Sequence, residues 1–399
     1  MACRSPKAGR SPTTCLLQDL RAAPVDLDEM IVTNSNFLHS RGSNRHRDIA
    51  SVGDHFIIGL RPTSSLHDLD RALLAELRPP GVALYKDNFR HDLPYDKWLL
   101  ELDRLIGDVR SALRRDRILV AIDHEGGRVC RTPLPITRFP AAAYWGERSA
   151  AIGTCMGREL ASIGVNLNFA PVLDIQSNKR NTVIGERAFG VTARKVSQAA
   201  IPFMESMQSQ ACGKHFPGNG DTGIDPHWGL PSVEIDLEGL RARELKPFAA
   251  AIRANIPMIM TSHVLFPQID GSTPVTLSHL FATRILRDDL GFRGVVVSDD
   301  IGMHAMDRFF GDPAAAAQFM IAGGDMLMIC SYWTDTDRAR SFASAIINAL
   351  ESGQLHRNTV ESARQRIANL LGRAAQNCVT QLPSEIFREH SNVGTLNAT

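Results

Sequence analysis

An excess of charge of either sign is missing from this 399-residue chain: 44 Lys and Arg against 43 Asp and Glu leave a formal net charge of +1. That balance provides no field for nucleic acid or an anionic membrane, and no stripe of interleaved basic and aromatic residues changes it. Cysteine is sparse and scattered. The seven, Cys3, Cys15, Cys130, Cys155, Cys212, Cys330 and Cys378, include no CxxC pair, which argues against a disulfide framework and a zinc site. A reducing compartment suits this pattern, and a cytoplasmic location is expected. No apolar run approaches the length of a membrane span, and the N-terminus lacks an apolar stretch of signal-peptide length.

What is present is the composition of a globular protein with a large core, 44% hydrophobic and 22% charged. The first eighteen residues carry Arg4, Lys7 and Arg10 among Ser, Thr and Pro with no acid. An organellar targeting peptide can look like this, but a disordered leader is the expectation. Residues 1–50 are therefore expected to form an N-terminal extension outside the fold, 51–375 the folded domain, and 376–399 a polar tail.

Eight short, β-rich apolar runs punctuate the chain, at 55–60, 81–86, 118–123, 165–171, 211–216, 256–263, 294–299 and 325–330. Amphipathic stretches fill the gaps, for example 69–77, 98–113, 150–162, 237–254 and 305–322. Eight strands alternating with helices imply an α/β fold, a (β/α)8 TIM barrel. A doubly wound sheet is disfavoured because no GxGxxG turn follows the first strand. In the barrel, Asp123, Asp174, Lys214, His215, His263, Asp299 and Asp300 all fall at or just past the C-terminal end of a strand, the face that carries catalysis in such folds.

The string KHFPGNGDTGIDPH at 214–227 is the most informative. Lys214 and His215 would sit at the exit of a buried strand, where charge is costly without a partner or ligand. Gly218, Gly220 and Gly223 with Pro217 and Pro226 make a loop that can move over a pocket. It leads to Asp225 and His227, a carboxylate placed to orient an imidazole and raise its basicity near neutral pH. A Gly-rich loop with an incidental His is the bland alternative, and the preceding Lys214-His215 pair weighs against it.

Val295-Val296-Val297-Ser298 runs straight into Asp299 and Asp300. Companion metal ligands at suitable spacing are absent from this segment, whereas a retaining glycosidase needs one carboxylate beneath the anomeric carbon and a separate acid/base above it. Asp299 and the Asp225/His227 pair could fill those roles; capping of a helix starting at Ile301 is the structural alternative. A second cluster runs from Asp123 through Glu125, Gly126, Gly127 and Arg128 to Arg131. Here Asp123 could accept bonds from sugar hydroxyls and Arg131 donate to them, with Glu125 and Arg128 pairing with each other. Arg187 adds a further cation in the loop after the fourth strand.

The strings IDHEGGRV, NFAPVLDI, IGERAFG, CGKHFPGNGDTGIDPHWGLP, PVTLSHL and GFRGVVVSDDIGM resemble, in order and spacing, the single-domain β-N-acetylglucosaminidases of glycoside hydrolase family 3, the type used in bacterial cell-wall recycling. The resemblance implies a β-N-acetylhexosaminidase in which Asp299 attacks the anomeric carbon, His227 is the acid/base and Asp225 orients it. Asp123, Arg131, Arg187, Lys214 and His215 would hold the hydroxyls of a terminal N-acetylglucosamine in an oligosaccharide or muropeptide, with no metal and no cofactor. A phosphorylase using the same residues and a catalytically silent sugar-binding barrel remain alternatives. Two positions depart from the family pattern: Asn219 where His is usual and Pro226 where Ser is usual. No nucleic-acid or membrane partner is expected, and the lack of heptads favours a monomer.

Overall fold

Alternation within the apolar runs decides the architecture. In the computed structural model, which describes residues 49–207, 210–223, 230–303, 306–330 and 337–395, each of the eight runs forms a strand. They are β1 Phe56–Gly59, β2 Gly81–Leu84, β3 Leu119–Ile122, β4 Leu167–Asn168, β5 Gln210–Phe216, β6 Met258–Thr261, β7 Val295–Asp300 and β8 Met326–Ile329. Neighbours in sequence pair in parallel, and β8 pairs with β1 to close the barrel. The expected (β/α)8 fold is therefore present.

Side chains alternate across each strand, so both faces of a barrel strand are buried and the run reads as continuously apolar. On β7, Val295 and Val297 pack inside the barrel with Met258, Met260, Met326 and Met328, while Val296 faces the helical shell. Strand β4 keeps only two residues of regular pairing, fewer than the run at 165–171 suggests. Around it, polar side chains do the pairing: Asn166 accepts from the Val120 N–H and donates to the Ile118 carbonyl, and Asn168 does the same with both backbone groups of His124.

The helices Asp68–Leu77, Tyr95–Leu113 and Ser149–Ser162 lie where expected. Two others are broken. The stretch 237–254 divides into Leu237–Ala242 and Leu245–Arg253, and the described part of 305–322 into Asp307–Phe310 and Ala314–Ala322, interrupted at Gly311 and Pro313, two residues that disfavour a continuous helix. No helix among the described residues is long and apolar enough to cross a membrane.

The polar-tail reading of 376–399 needs correction over its described part. Helix Ser384–Gly394 packs on the barrel, with Phe387 and His390 buried, the Phe387 ring edge-on to Tyr95 at 5.4 Å, and His390 Nδ1 2.6 Å from Glu159 Oε1. Four positions at helical spacing, Ile386, Phe387, His390 and Val393, suffice to seat one face although the segment is polar overall. The N-terminal extension lies outside the described residues up to residue 48, and the fold is already under way at buried Ile49 and Val52.

Candidate active site

The C-terminal ends of the strands surround a cavity of about 420 Å³ whose lining includes Asp123, Arg131, Arg187, Lys214, His215 and Asp299. These six residues, singled out along 177 positions of chain from Asp123 to Asp299 (299 − 123 + 1), are thus gathered at one place. Asp225 and His227 lie outside the described residues.

At the floor, Lys214 is almost fully buried at the exit of β5, with Nζ 2.5 Å from both Asp123 Oδ1 and Glu125 Oε1. Burial opposes its charge, but the two carboxylates outweigh that cost and raise its pKa. Glu125 also takes a bidentate pair of bonds from Arg187, Nε to Oε2 at 2.7 Å and Nη2 to Oε1 at 2.9 Å. Its pKa follows the same balance: burial pushes it up, while Arg187 and Lys214 together hold it well below the ordinary carboxylate range. Arg187 Nη1 also donates to the Val183 carbonyl at 3.0 Å.

The expected Glu125–Arg128 pair is not formed. Glu125 is claimed by Arg187 and Lys214 from the next two strand exits, and Arg128 instead donates to the carbonyls of Thr182 and Val183, tying the loops after β3 and β4 together. Gly126 makes this path possible. Its φ is 85°, and a Cβ there would lie 2.6 Å from the Pro140 carbonyl oxygen.

His215 is set by Asp174, a wholly buried carboxylate. Asp174 Oδ2 lies 2.7 Å from His215 Nδ1, while Oδ1 accepts from the His215 N–H at 3.1 Å and the Asn219 N–H at 2.8 Å. One acid thus orients the imidazole and fixes the first turn of the β5 loop. Asn219 is well accommodated there: its side-chain oxygen accepts from Thr222 and its carbonyl accepts from Asn181. Gly220 closes the turn against β4's exit, where a Cβ would fall 1.7 Å from the Ile175 carbonyl oxygen.

Asp299 stands partly open to the cavity at the end of β7, with Oδ1 accepting the Asp300 N–H at 2.8 Å. Burial works to raise its pKa, but His215 foremost, with His263, the Asp300 amide and Lys214, keeps it below the ordinary value. It is therefore ionised at neutral pH. Asp300 serves the backbone instead, its Oδ1 accepting from the Gly302 and Cys330 N–H groups and so joining the ends of β7 and β8. Both acids line the cavity, but Asp300 spends Oδ1 on two main-chain N–H groups, whereas the one bond on Asp299 Oδ1 comes from its neighbour's amide.

Residues 89–370 match the N-terminal domain of glycosyl hydrolase family 3. This chain belongs to glycosyl hydrolase family 3. A β-hexosaminidase of Methylococcus capsulatus is 41% identical to it over 317 residues, covering 76% of this chain and 88% of that protein. β-Hexosaminidase A of Pseudoalteromonas piscicida is 33% identical over 325 residues, 73% of this chain; the chain spans about half, 52%, of that relative's length. Among solved structures, a family 3 β-N-acetylglucosaminidase from Paenibacillus superposes with a TM-score of 0.76 at 30% identity, covering 86% of this chain and 67% of that one.

Two contributors to this family 3 site go unrecognised in the sequence pattern. Glu125 reads there as the structural partner of Arg128, and Asp174 as a strand-end acid without a role. The signal for both is the same: an acid directly after a buried strand, in the strings IDHEGG and APVLDI.

Proposed function

We propose that this family 3 hydrolase is a retaining exo-β-N-acetylglucosaminidase acting on terminal β-linked N-acetylglucosamine of muropeptides or chitin-derived oligosaccharides. The observation that carries the reading is Asp299: an ionised carboxylate at a strand end, opening onto a cavity of a size typical of ligand sites and walled by charged hydrogen-bonding groups. The name of the Paenibacillus protein, a β-N-acetylglucosaminidase, supports the sugar assigned, and that of the Methylococcus relative, a β-hexosaminidase, supports the wider class.

In the first step an Asp299 oxygen attacks the anomeric carbon while the glycosidic C–O bond breaks, and His227 gives its proton to the departing oxygen. In the second, His227 takes a proton from water as that water attacks the anomeric carbon and the Asp299 ester bond breaks, returning the carboxylate. Asp225 holds the imidazole for both transfers. Asp123, 21% exposed at its side chain, and Arg131, which lines the cavity and whose buried Nε has no hydrogen-bond partner among the described residues, are the groups offered to sugar hydroxyls. Lys214 and Arg187 fix Asp123 and Glu125 beneath them. The cytoplasmic location belongs to the same proposal and rests on the scattered cysteines.

The test is turnover of p-nitrophenyl N-acetyl-β-glucosaminide beside the plain β-glucoside, with and without phosphate, for the wild type and Asp299→Ala. Release of free sugar from the N-acetyl substrate, abolished by the substitution, is expected. A sugar 1-phosphate product would replace hydrolysis by phosphorolysis, and no turnover of either glycoside would sink the enzymatic reading in favour of a silent binding barrel.

A further inference from the structure

Arg131 reaches the cavity from the loop after β3, and that loop is held from behind by a segment beyond the family match, which ends at residue 370. The connection can be followed atom by atom. His390, buried on helix Ser384–Gly394, donates from Nδ1 to Glu159 Oε1 at 2.6 Å. Glu159, itself 1% exposed, spends its remaining capacity on one residue: Oε1 accepts from Thr137 Oγ1 at 2.6 Å and Oε2 from the Thr137 N–H at 2.7 Å. The next residue, Arg138, donates from Nη2 to the Thr132 carbonyl at 2.6 Å and from Nη1 to the Cys130 carbonyl at 3.3 Å. Those two carbonyls flank Arg131.

Packing reinforces the same route. Gly394 lies against the ring of Phe139, where an added Cβ would stand 3.1 Å from Cδ1, and Trp98 Nε1 donates to the Leu134 carbonyl at 3.0 Å. A buried carboxylate held by three donors is a stiff joint, because each donor lost leaves a lone pair of the acid unpaired away from water. The Arg131 head group makes no such bond through its buried Nε among the described residues. Its position is therefore inherited from the loop.

We propose that the C-terminal helix, acting through His390, Glu159 and Thr137, positions Arg131 for substrate binding. The inference rests on the reading of Arg131 as a residue that holds the terminal sugar. His390 is a positioning residue here and touches no substrate.

Its test is the split between KM and kcat on p-nitrophenyl N-acetyl-β-glucosaminide. His390→Ala is expected to raise KM about tenfold with kcat nearly unchanged, the pattern of lost uniform binding after removal of a charged hydrogen bond. His390→Asn, whose amide nitrogen can take the place of Nδ1, should recover most of the loss, and Glu389→Ala on the exposed face of the same helix should behave as wild type. Because His390 acts through Arg131, the double variant His390→Ala/Arg131→Ala should bind no worse than Arg131→Ala alone. Thermal melts confirm that each variant is folded; if His390→Ala does not fold, Thr137→Val cuts the same route one link further on. A wild-type KM in the folded variant, or full additivity in the double variant, overturns the proposal. Failure of the functional reading looks different, since the wild type would then be inactive on this substrate.

Discussion

At the N-terminal end of the barrel strands, Asp325 is fully buried and each of its oxygens is spoken for, while at the C-terminal end Asp299 is ionised and still faces open space. Asp325 takes 2.7 Å bonds from Arg287 and Arg366 and a 2.8 Å bond from the Val296 N–H, and its carbonyl accepts from His55 Nδ1 at 3.0 Å. That end even has a concavity of about 340 Å³, lined in part by Arg366, but no carboxylate is among its described lining residues. Cavity size therefore does not separate the two ends. What separates them is unspent hydrogen-bonding capacity: charges that satisfy one another hold a structure, and charges left partly open are available to a ligand. Glu125 belongs to both kinds, lining the active cavity yet fully engaged by Lys214 and Arg187.

The comparison is tested most severely at its two extremes. Asp299→Asn should lower kcat by ~10³-fold or more, as loss of a nucleophile does, with the melting temperature unchanged; a variant with near-normal kcat would remove Asp299 from the chemistry. Asp325→Ala should do the reverse. Leaving Arg287 and Arg366 without their acid is expected to cost about 3–5 kcal/mol in denaturant unfolding, with kcat per folded molecule preserved. An Asp325 variant that is stable but inactive would erase the distinction between the ends.

Between them, Glu125→Gln should show both signatures in reduced form, a stability loss of about 1.5–3 kcal/mol and a raised KM from misplaced Lys214 and Arg187. Finding only one of the two would assign Glu125 to one side. The smallest expected effect concerns Glu244, buried beneath the β5 loop, with Oε1 2.5 Å from Arg243 Nε and Oε2 without a hydrogen-bond donor among the described residues. Burial, more than offsetting Arg243, pushes its pKa up to about 7. A raised carboxyl favours the protonated folded state, so its stabilising contribution is full below the ordinary value of 4.5 and is lost as pH rises through about 7. Glu244→Gln should accordingly flatten the fall in melting temperature across that window by a few degrees. A slope identical to wild type would show that Glu244 is ionised throughout.

Much of this was legible in the chain. All eight strand runs lie where period-two burial on both faces puts them, and Asp123, Arg131, Arg187, Lys214, His215 and Asp299 meet at one cavity because strand ends in a closed barrel share a face. The Asp225/His227 pair falls outside the described residues and stays with the proposed mechanism. The C-terminal helix was illegible for a specific reason. Its buried face is made by Phe387 and a histidine whose carboxylate partner is 231 residues away, so composition alone reads the segment as tail.

The sequence by itself determined the barrel and the set of residues on its working face, since both follow from local periodicity and from acids placed directly after apolar runs. Only the tertiary structure decided which partner each charge takes. Glu125 lies three residues from Arg128 but bonds Arg187, 62 positions away, and Asp174 orients His215 across 41. The choice is made by strand exits brought side by side when the barrel closes, where a bidentate, buried contact outweighs proximity along the chain.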